Sequence, residues 1–373
     1  MQSLEIKQLS LLNFKNYAIV SIHFYEKIIC FTGNNGKGKT NLLDAIYYIC
    51  FCKSFINSSD SQNIKNNEPF FTIEGIINFD EVEEKFSCAF KRDDRKVFRR
   101  NKKEYEKLSE HIGLIPLVIM SPTDIFMLHD GSDVRRKFLD GIISQFNPQY
   151  LHYLQQYNKA LAQRNSLLKT FSENHNFQAE VLEIWDMQLV DLGNKLYHAR
   201  NNFVIDFIST FEHYYHLLSP EKENVKLVYE SQLHNQNFEL ILKQTIQKDC
   251  AVTYTTHGVH KDDLIFLLND KPIKRIASQG QQKTYLTALR LAQYQYLKKT
   301  TDKAPILLID DVYDKLDPTR VRHLLNLVSD KNFGQVFITD TNSERILKIF
   351  NDIRAPFQLF EVADGNVNQI NIE

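Results

Sequence analysis

The chain has 373 residues, 43% hydrophobic and 24% charged, with a formal net charge of −1. That length suits roughly two or three domains, the composition is that of a folded globular protein, and the charge balance excludes a uniformly basic coat while leaving room for a local patch. No apolar run approaches the roughly 18 residues that span a bilayer. The charged, alternating start MQSLEIKQLSLLNFKNY is not a secretory signal. A cytoplasmic location is expected.

Residues 1–130 read mostly as strands. In AIVSIHFY, Val20, Ile22 and Phe24 alternate with Ser21 and His23, the period of a half-buried strand. KIICF then leads through a Gly-rich loop into the helix TNLLDAIYYI. The loop, Gly33-Asn34-Asn35-Gly36-Lys37-Gly38-Lys39-Thr40, is a full G-x-x-x-x-G-K-[ST]. Its glycines let backbone N–H groups approach phosphate oxygens. Lys39 brings a positive charge to the β/γ-phosphates, and Thr40 offers its hydroxyl to Mg²⁺. ATP and Mg²⁺ are the expected ligands.

The polar stretch 57–69 reads as a mobile loop. FFTIEGIINF and KFSCAF alternate through Phe71, Ile73, Gly75, Ile77 and Phe79, then Phe86, Cys88 and Phe90, which predicts an antiparallel meander. The five cysteines, Cys30, Cys50, Cys52, Cys88 and Cys250, lack zinc spacing and read as buried reduced thiols. Residues 91–107, KRDDRKVFRRNKKEYEK, hold nine Lys or Arg against four Asp or Glu. They read as two strands about a turn near Asn101, clustering Arg95, Lys96, Arg99, Arg100, Lys102 and Lys103. Such a strip either neutralises DNA phosphates without reading sequence or is an ordinary solvated hairpin. LIPLVIMS suits a strand buried on both faces.

Helical spacing begins near Gly131. Val134, Phe138, Leu139, Ile142 and Ile143 share a face, with Arg135, Arg136 and Lys137 as a second basic group. Asn147-Pro148 offers an N-cap and a first-turn proline. Leu151, Leu154, Leu161 and Leu168 then form one stripe, and Trp185, Leu189, Leu192, Leu196 and Phe203 another, on a helix of roughly 50 Å. Residues 131–249 are either a helical domain core or a paired-helix arm.

Strand signals return in VTYTTHG, APILLIDD, QVFITD and FQLFEVADG. The expected organisation is an α/β head, a mixed sheet with an antiparallel meander, formed by 1–130 and 250–373 and interrupted by the helical insertion. PILLIDD delivers Asp310 and Asp311 at a strand end, Asp310 for the metal and Asp311 for the attacking water. About thirty residues earlier, in ASQGQQKT, Ser278, Gly280 and Gln281 open a helix whose N–H groups face an anion. A nucleotide cradled by residues 33–40 hardly needs that second helix from its own subunit. Two heads facing each other do, each presenting Ser278 and Gly280 to the other's γ-phosphate.

With these motifs in this order the chain resembles the ATP-binding-cassette heads of the SMC and RecF class. It narrows to the RecF family on LSLLNFKNY, GNNGKGKTNLLDAIYY, GSDVRRKFLD, THGVHKDDL, ASQGQQKT and DDVYDKLDP. The likeness covers essentially the whole chain. It implies a weak DNA-stimulated ATPase in which ATP joins two heads on DNA and hydrolysis releases them, with Asp317 in the dimer-contacting loop. It further implies loading of RecA at single-strand gaps in recombinational repair and replication, with RecR and RecO as partners.

The sequence departs from the family at Asn34, often Glu, at Lys15, often Arg, at Asp133, usually Pro, and at Asp314, frequently Glu. Asp311 stands where transporter ATPases carry Glu, and Thr339-Asp340 where they carry a switch His. The last two differences point to slow turnover, with ATP acting as a slow switch. Other readings are an SMC-like structural clamp, whose arms need far more chain, and a cassette ATPase with a different partner. A membrane transporter lacks its switch His here, and a nuclease its metal cluster.

Overall fold

The computed structural model describes residues 4–174, 176–219, 223–311 and 318–371. The chain divides into two compact units, one of Met1–Asp124, Tyr214–Pro220 and Gln279–Glu373, the other of Ile125–His213 and Glu221–Ser278. The division assigns 250–278 to the second unit, not to the head as the strand-like composition of that stretch suggested.

In chain order, β1 (Leu4–Phe14) and β2 (Tyr17–His23) form a hairpin, β3 (Ile28–Thr32) enters another sheet, and α1 (Lys39–Phe51) follows. The meander comprises β4 (Phe70–Phe79), β5 (Val82–Lys91), β6 (Val97–Arg100) and β7 (Lys103–Glu104). It joins the hairpin in one antiparallel sheet of order β2-β1-β4-β5-β6-β7. The register sets Ile73 opposite both Leu11 and Cys88, so the alternating apolar residues of three strands share one buried face. Residues 57–69 are tied down: Lys15 N donates to Asn63 O at 2.8 Å, Lys65 N to Asn13 O at 2.8 Å, and Ile64 bridges Phe14. The expected mobile loop is a brace against the β1–β2 turn.

After β8 (Leu117–Met120) the chain enters the second unit through α2 (Phe126–His129), α3 (Ser132–Phe146), α4 (Pro148–Asn174) and α5 (Ala179–Leu218). The last has 40 residues, about 60 Å at 1.5 Å per residue. Asn147 Oδ1 accepts from Tyr150 N at 2.9 Å, capping α4. The buried stripe of α4 is Tyr150, Tyr157, Ala160, Arg164, Leu168 and Phe171; Leu151, Leu154 and Leu161 are only half-buried. A three-stranded sheet of order β11-β10-β9 completes this unit, from β9 (Val225–Glu230), β10 (Asp263–Leu268) and β11 (Lys271–Pro272). VTYTTHG is not a strand: α6 (Phe238–Val252) runs into it and ends on Thr253 with φ 63°. Helix α7 (Ile273–Ile276) closes the segment.

Back in the first unit, α8 (Gln279–Thr301), β12 (Ile306–Ile309), α9 (Pro318–Ser329), β13 (Val336–Asp340), α10 (Ser343–Ile353), β14 (Gln358–Ala363) and β15 (Asn366–Ile370) follow. The sheet order is β15-β14-β3-β13-β12-β8, parallel except at β15. Strands β3, β12 and β13 are buried along their whole length, which is why each reads as a continuous apolar run. Leu42, Leu43 and Ile46 of α1 share one apolar core with Leu9, Ile73 and Phe86 of the antiparallel sheet and with Ile306 and Phe337 of the parallel one.

Candidate nucleotide site

The carboxyl ends of β3, β12 and β13 lie side by side in the parallel sheet, the place where open α/β sheets bind ligands. Loop 33–40 leaves β3 and turns into α1. Gly33 has φ 145°, and a Cβ there would lie 2.3 Å from the Val362 carbonyl oxygen of β14. Gly38 has φ 110°, and its Cβ would lie 2.4 Å from Asn16 Nδ2 and 2.8 Å from Tyr17 Oη. Both positions therefore require glycine. Gly38 is also the N-cap of α1, and no side chain caps that helix, so its opening N–H groups suit an anion.

Lys39 is 5% exposed, and its Nζ donates to Gly33 O at 2.7 Å and Asn34 O at 3.0 Å. Burial lowers its pKa, while the carboxylates of Asp311, Asp310 and Asp340 act against that. Thr40 Oγ1 donates to Asp310 Oδ1 at 3.0 Å. The same oxygen accepts from Thr339 Oγ1 at 2.8 Å, and Thr339 Oγ1 accepts from Asp311 N at 2.8 Å. Asp311 holds a left-handed φ of 48°, a conformation Asp tolerates better than most residues. Asp340 is buried and accepts from Asn342 N at 2.7 Å and Arg345 Nη2 at 3.0 Å.

Thr40 and Asp310 thus form a pair of hard oxygen donors suited to Mg²⁺, which ordinarily completes its shell with phosphate and water. No cage of three or more His, Cys, Asp or Glu exists among the described residues. Burial pushes the thiols of Cys30 and Cys50 well up and that of Cys88 to about 12, which keeps them protonated as free thiols.

The β1–β2 turn, whose role the sequence reading missed, braces this loop. Asn16 Nδ2 donates to Lys37 O at 3.1 Å and Tyr17 Oη to Gly38 O at 2.9 Å. Asn41 Nδ2 donates to Asn16 Oδ1 at 2.7 Å, and Lys65 Nζ to Asn16 O at 3.0 Å. Lys15 pairs at 2.5 Å with the buried Asp44 of α1. Lys37 meets Asp364 at 2.5 Å. Asn35 and Gly36 complete the loop between these anchors. A polar pair directly after an apolar strand was the available signal, but only the fold brings residue 16 to residue 37.

Ser278 is exposed immediately before α8, and Gly280 and Gln281 are half-buried in its first turn. The Gly280 carbonyl accepts from Thr284 Oγ1 at 2.9 Å and Arg320 Nη1 at 3.4 Å. The loop's bonds to Asp310 and Thr339, by contrast, run through β12 and β13. Asp314 and Asp317 lie outside the described residues.

The sequence pattern of the AAA domain family matches residues 8–318. Over 366 residues the chain is 47% identical to the DNA replication and repair protein RecF of Phocaeicola vulgatus, covering 98% of each. It is 44% identical over 359 residues to that of Flavobacterium johnsoniae, 96% of this chain and all of the relative. The chain belongs to the RecF family. A solved structure of the recombination mediator protein RecF-ATPrS in the RecFOR pathway superposes with a TM-score of 0.89 at 29% identity, covering 99% of both chains. The Smc head of Pyrococcus furiosus, with an extended coiled coil, shares the fold at a TM-score of 0.58 and 18% identity over 100% of this chain and 97% of that one. No helix among the described residues is long and apolar enough to cross a membrane.

The two internal RecF stretches, 131–140 and 256–264, meet in the second unit. Arg135 is bidentate to Asp263 at 2.7 and 2.8 Å. Arg136 donates to Asp262 O and Ser132 Oγ, each at 2.6 Å. Arg200, 2% exposed, joins Asp140 at 2.9 Å and Asp262 at 3.2 Å, and Tyr229 Oη donates to Asp262 at 2.5 Å. Arg135 and Arg136 are therefore both engaged in internal bonds. Lys137 is exposed beside Asp133 at 3.6 Å.

The basic hairpin forms as β6 and β7, with Asn101 and Lys102 at left-handed φ in the turn. Two of its cations have close partners: Lys96 binds Asp60 at 2.8 Å, Cys52 O at 2.7 Å and the Tyr48 ring face, and Arg100 forks onto Glu84 while its side chain stays 41% exposed. Arg95, Arg99, Lys102 and Lys103 are exposed, Arg95 alongside Glu104 at 3.0 Å.

Proposed function

We propose that this chain is an ATP-driven, DNA-binding switch of recombinational repair and replication-fork maintenance. The observation that carries the reading is the Thr40–Asp310–Thr339 set closing on a phosphate loop, in a chain that also opens a helix at Ser278. Loop 33–40 would hold ATP, with Lys39 at the β/γ-phosphates. Thr40 and Asp310 would hold Mg²⁺, which supplies positive charge between the phosphate oxygens. Asp311, fixed through its own N–H to Thr339, would orient the attacking water. Ser278, Gly280 and Gln281 of a second copy would complete each site, so that ATP joins two heads.

On this reading the homodimer closes on DNA, duplex or gapped. A weak DNA-stimulated hydrolysis of ATP to ADP and phosphate then releases it. Asp311 in place of Glu, and Thr339-Asp340 in place of a switch His, support slow turnover. Arg95, Arg99, Lys102 and Lys103 are the hairpin cations available to phosphates. The RecFOR pathway named for the solved relative supports a part in loading RecA at gaps with RecR and RecO, in the cytoplasm at the nucleoid.

Sedimentation of the full chain with ATP, with ADP and without nucleotide, each with and without gapped DNA, tests this. The mass should double only with ATP, and only that form should retain DNA. A constant monomer mass in every condition would overturn the proposal.

A further inference from the structure

In the second unit two exposed lysines, a histidine and an exposed tyrosine lie outside the nucleotide site and the basic hairpin. Helix α6 ends at Val252, and the chain runs through an exposed Tyr254 to a short turn at Val259–Lys261. The loop is anchored from below. Asp249, fully buried, accepts from Arg164 Nη1 at 2.7 Å, Thr256 N at 3.0 Å and Thr256 Oγ1 at 2.6 Å. Thr255 donates from N and Oγ1 to Asn165 Oδ1 at 2.8 and 2.7 Å. Asp249 is thereby spent on internal partners, as are Asp262 and Asp263, which bind Arg200 and Arg135.

Three groups remain above it. Because the Thr256 hydroxyl gives its one proton to Asp249, it accepts from His257 Nδ1–H at 2.7 Å. That leaves His257 Nε2 as the ring atom that can take up a proton. Lys261 Nζ stands 5.2 Å from the Tyr254 ring centroid, and Lys248 is exposed on the last turns of α6. Burial lowers the pKa of His257, and both lysines lower it further against the opposing Asp249. Neither lysine forms an ion pair among the described residues, whereas Lys243 on the same helix is held by Glu239 at 2.6 Å. A hydrogen-bonded loop with two exposed lysines, one of them beside an exposed aromatic ring, matches the needs of a phosphodiester backbone with flanking bases.

We propose that Lys248, Tyr254, His257 and Lys261 form a contact surface for DNA backbone phosphates. This rests on the DNA-binding reading above and says which face of the second unit takes part.

The test uses the full chain with a non-hydrolysable ATP analogue and labelled gapped DNA, with anisotropy followed across a salt series. The Lys248→Ala/Lys261→Ala double variant should bind about tenfold more weakly, with a slope of log K against log salt shallower by about 2, one for each lost phosphate contact. Lys243→Ala should overlay the wild type. If the double variant also overlays it in affinity and slope, this inference falls and DNA binding stands. If the wild type binds no DNA, both fall. Displacement of DNA by inorganic phosphate at constant ionic strength would assign the cluster to a small anion and overturn the proposal.

Discussion

Truncating Asn16 to alanine isolates the brace under the phosphate loop. The side chain makes two hydrogen bonds, to Lys37 O at 3.1 Å and from Asn41 Nδ2 at 2.7 Å. At about 0.5–1.5 kcal/mol each their loss amounts to about 1–3 kcal/mol. The Lys37 carbonyl belongs to the peptide that carries the Gly38 N–H, so the lost bond frees the unit that orients the loop toward phosphate. If the whole cost falls on the nucleotide-bound geometry, ATP affinity drops about 5- to 150-fold. Tyr17→Phe removes only the 2.9 Å bond to Gly38 O and should cost about 1 kcal/mol, or about fivefold. Titration calorimetry with Mg-ATP, paired with urea unfolding, measures both effects. Lower stability with unchanged ATP affinity in both variants would make the turn a structural corner only and refute the reasoning.

Lys39→Ala should abolish ATP binding, and Asp311→Asn should retain binding while prolonging the ATP-bound dimer; unchanged turnover in the latter removes Asp311 from the water-orienting role. Arg200→Leu leaves Asp140 and the fully buried Asp262 without their cation and should cost about 3–5 kcal/mol in urea unfolding; a loss below about 1 kcal/mol would contradict that. The pKa of His111 is lowered by burial from 6.5 to about 4, with Nε2 on Ile49 O at 2.6 Å. As pH falls below 6.5 the unfolded chain takes up this proton and the folded one does not. Stability is therefore lost between pH 6.5 and 4, by about 2 kcal/mol at pH 5. His111→Gln should flatten that decline in urea titrations at pH 7 and 5, and an equally steep decline would assign it to other groups.

The apolar strands and the long helices were legible because each is set by periodicity within its own segment. Leu189, Leu196 and Phe203 on α5 are buried as their spacing implies. The stripe on α4 misled, because its buried face is built around Arg164, whose charge is matched by Asp186 at 2.6 Å and Asp249 at 2.7 Å. A buried arginine with distant partners looks like a surface residue in a window of eighteen. VTYTTHG has the β-branched composition of a strand, yet its threonines serve as hydrogen-bonding anchors to Asp249 and Asn165. In the basic segments composition counts charges, and only the fold shows which of them have internal partners.

By itself the sequence determined the strand–loop–helix from Ile28 to Phe51, because eight consecutive residues carry the geometry that a phosphate requires. It also determined the family, through motifs whose order survives along the chain. Tertiary structure decided the rest. It set Thr339 between Asp310 and Asp311, placed Asn16 and Tyr17 under Lys37 and Gly38, and gave Arg100, Arg135 and Arg136 their internal partners. Those bonds join residues as far apart as Thr40 and Asp310, 270 positions, or Arg135 and Asp263, 128 positions. No local pattern encodes such pairs, since each exists only once the sheet order and the packing of the helices have brought its two ends together.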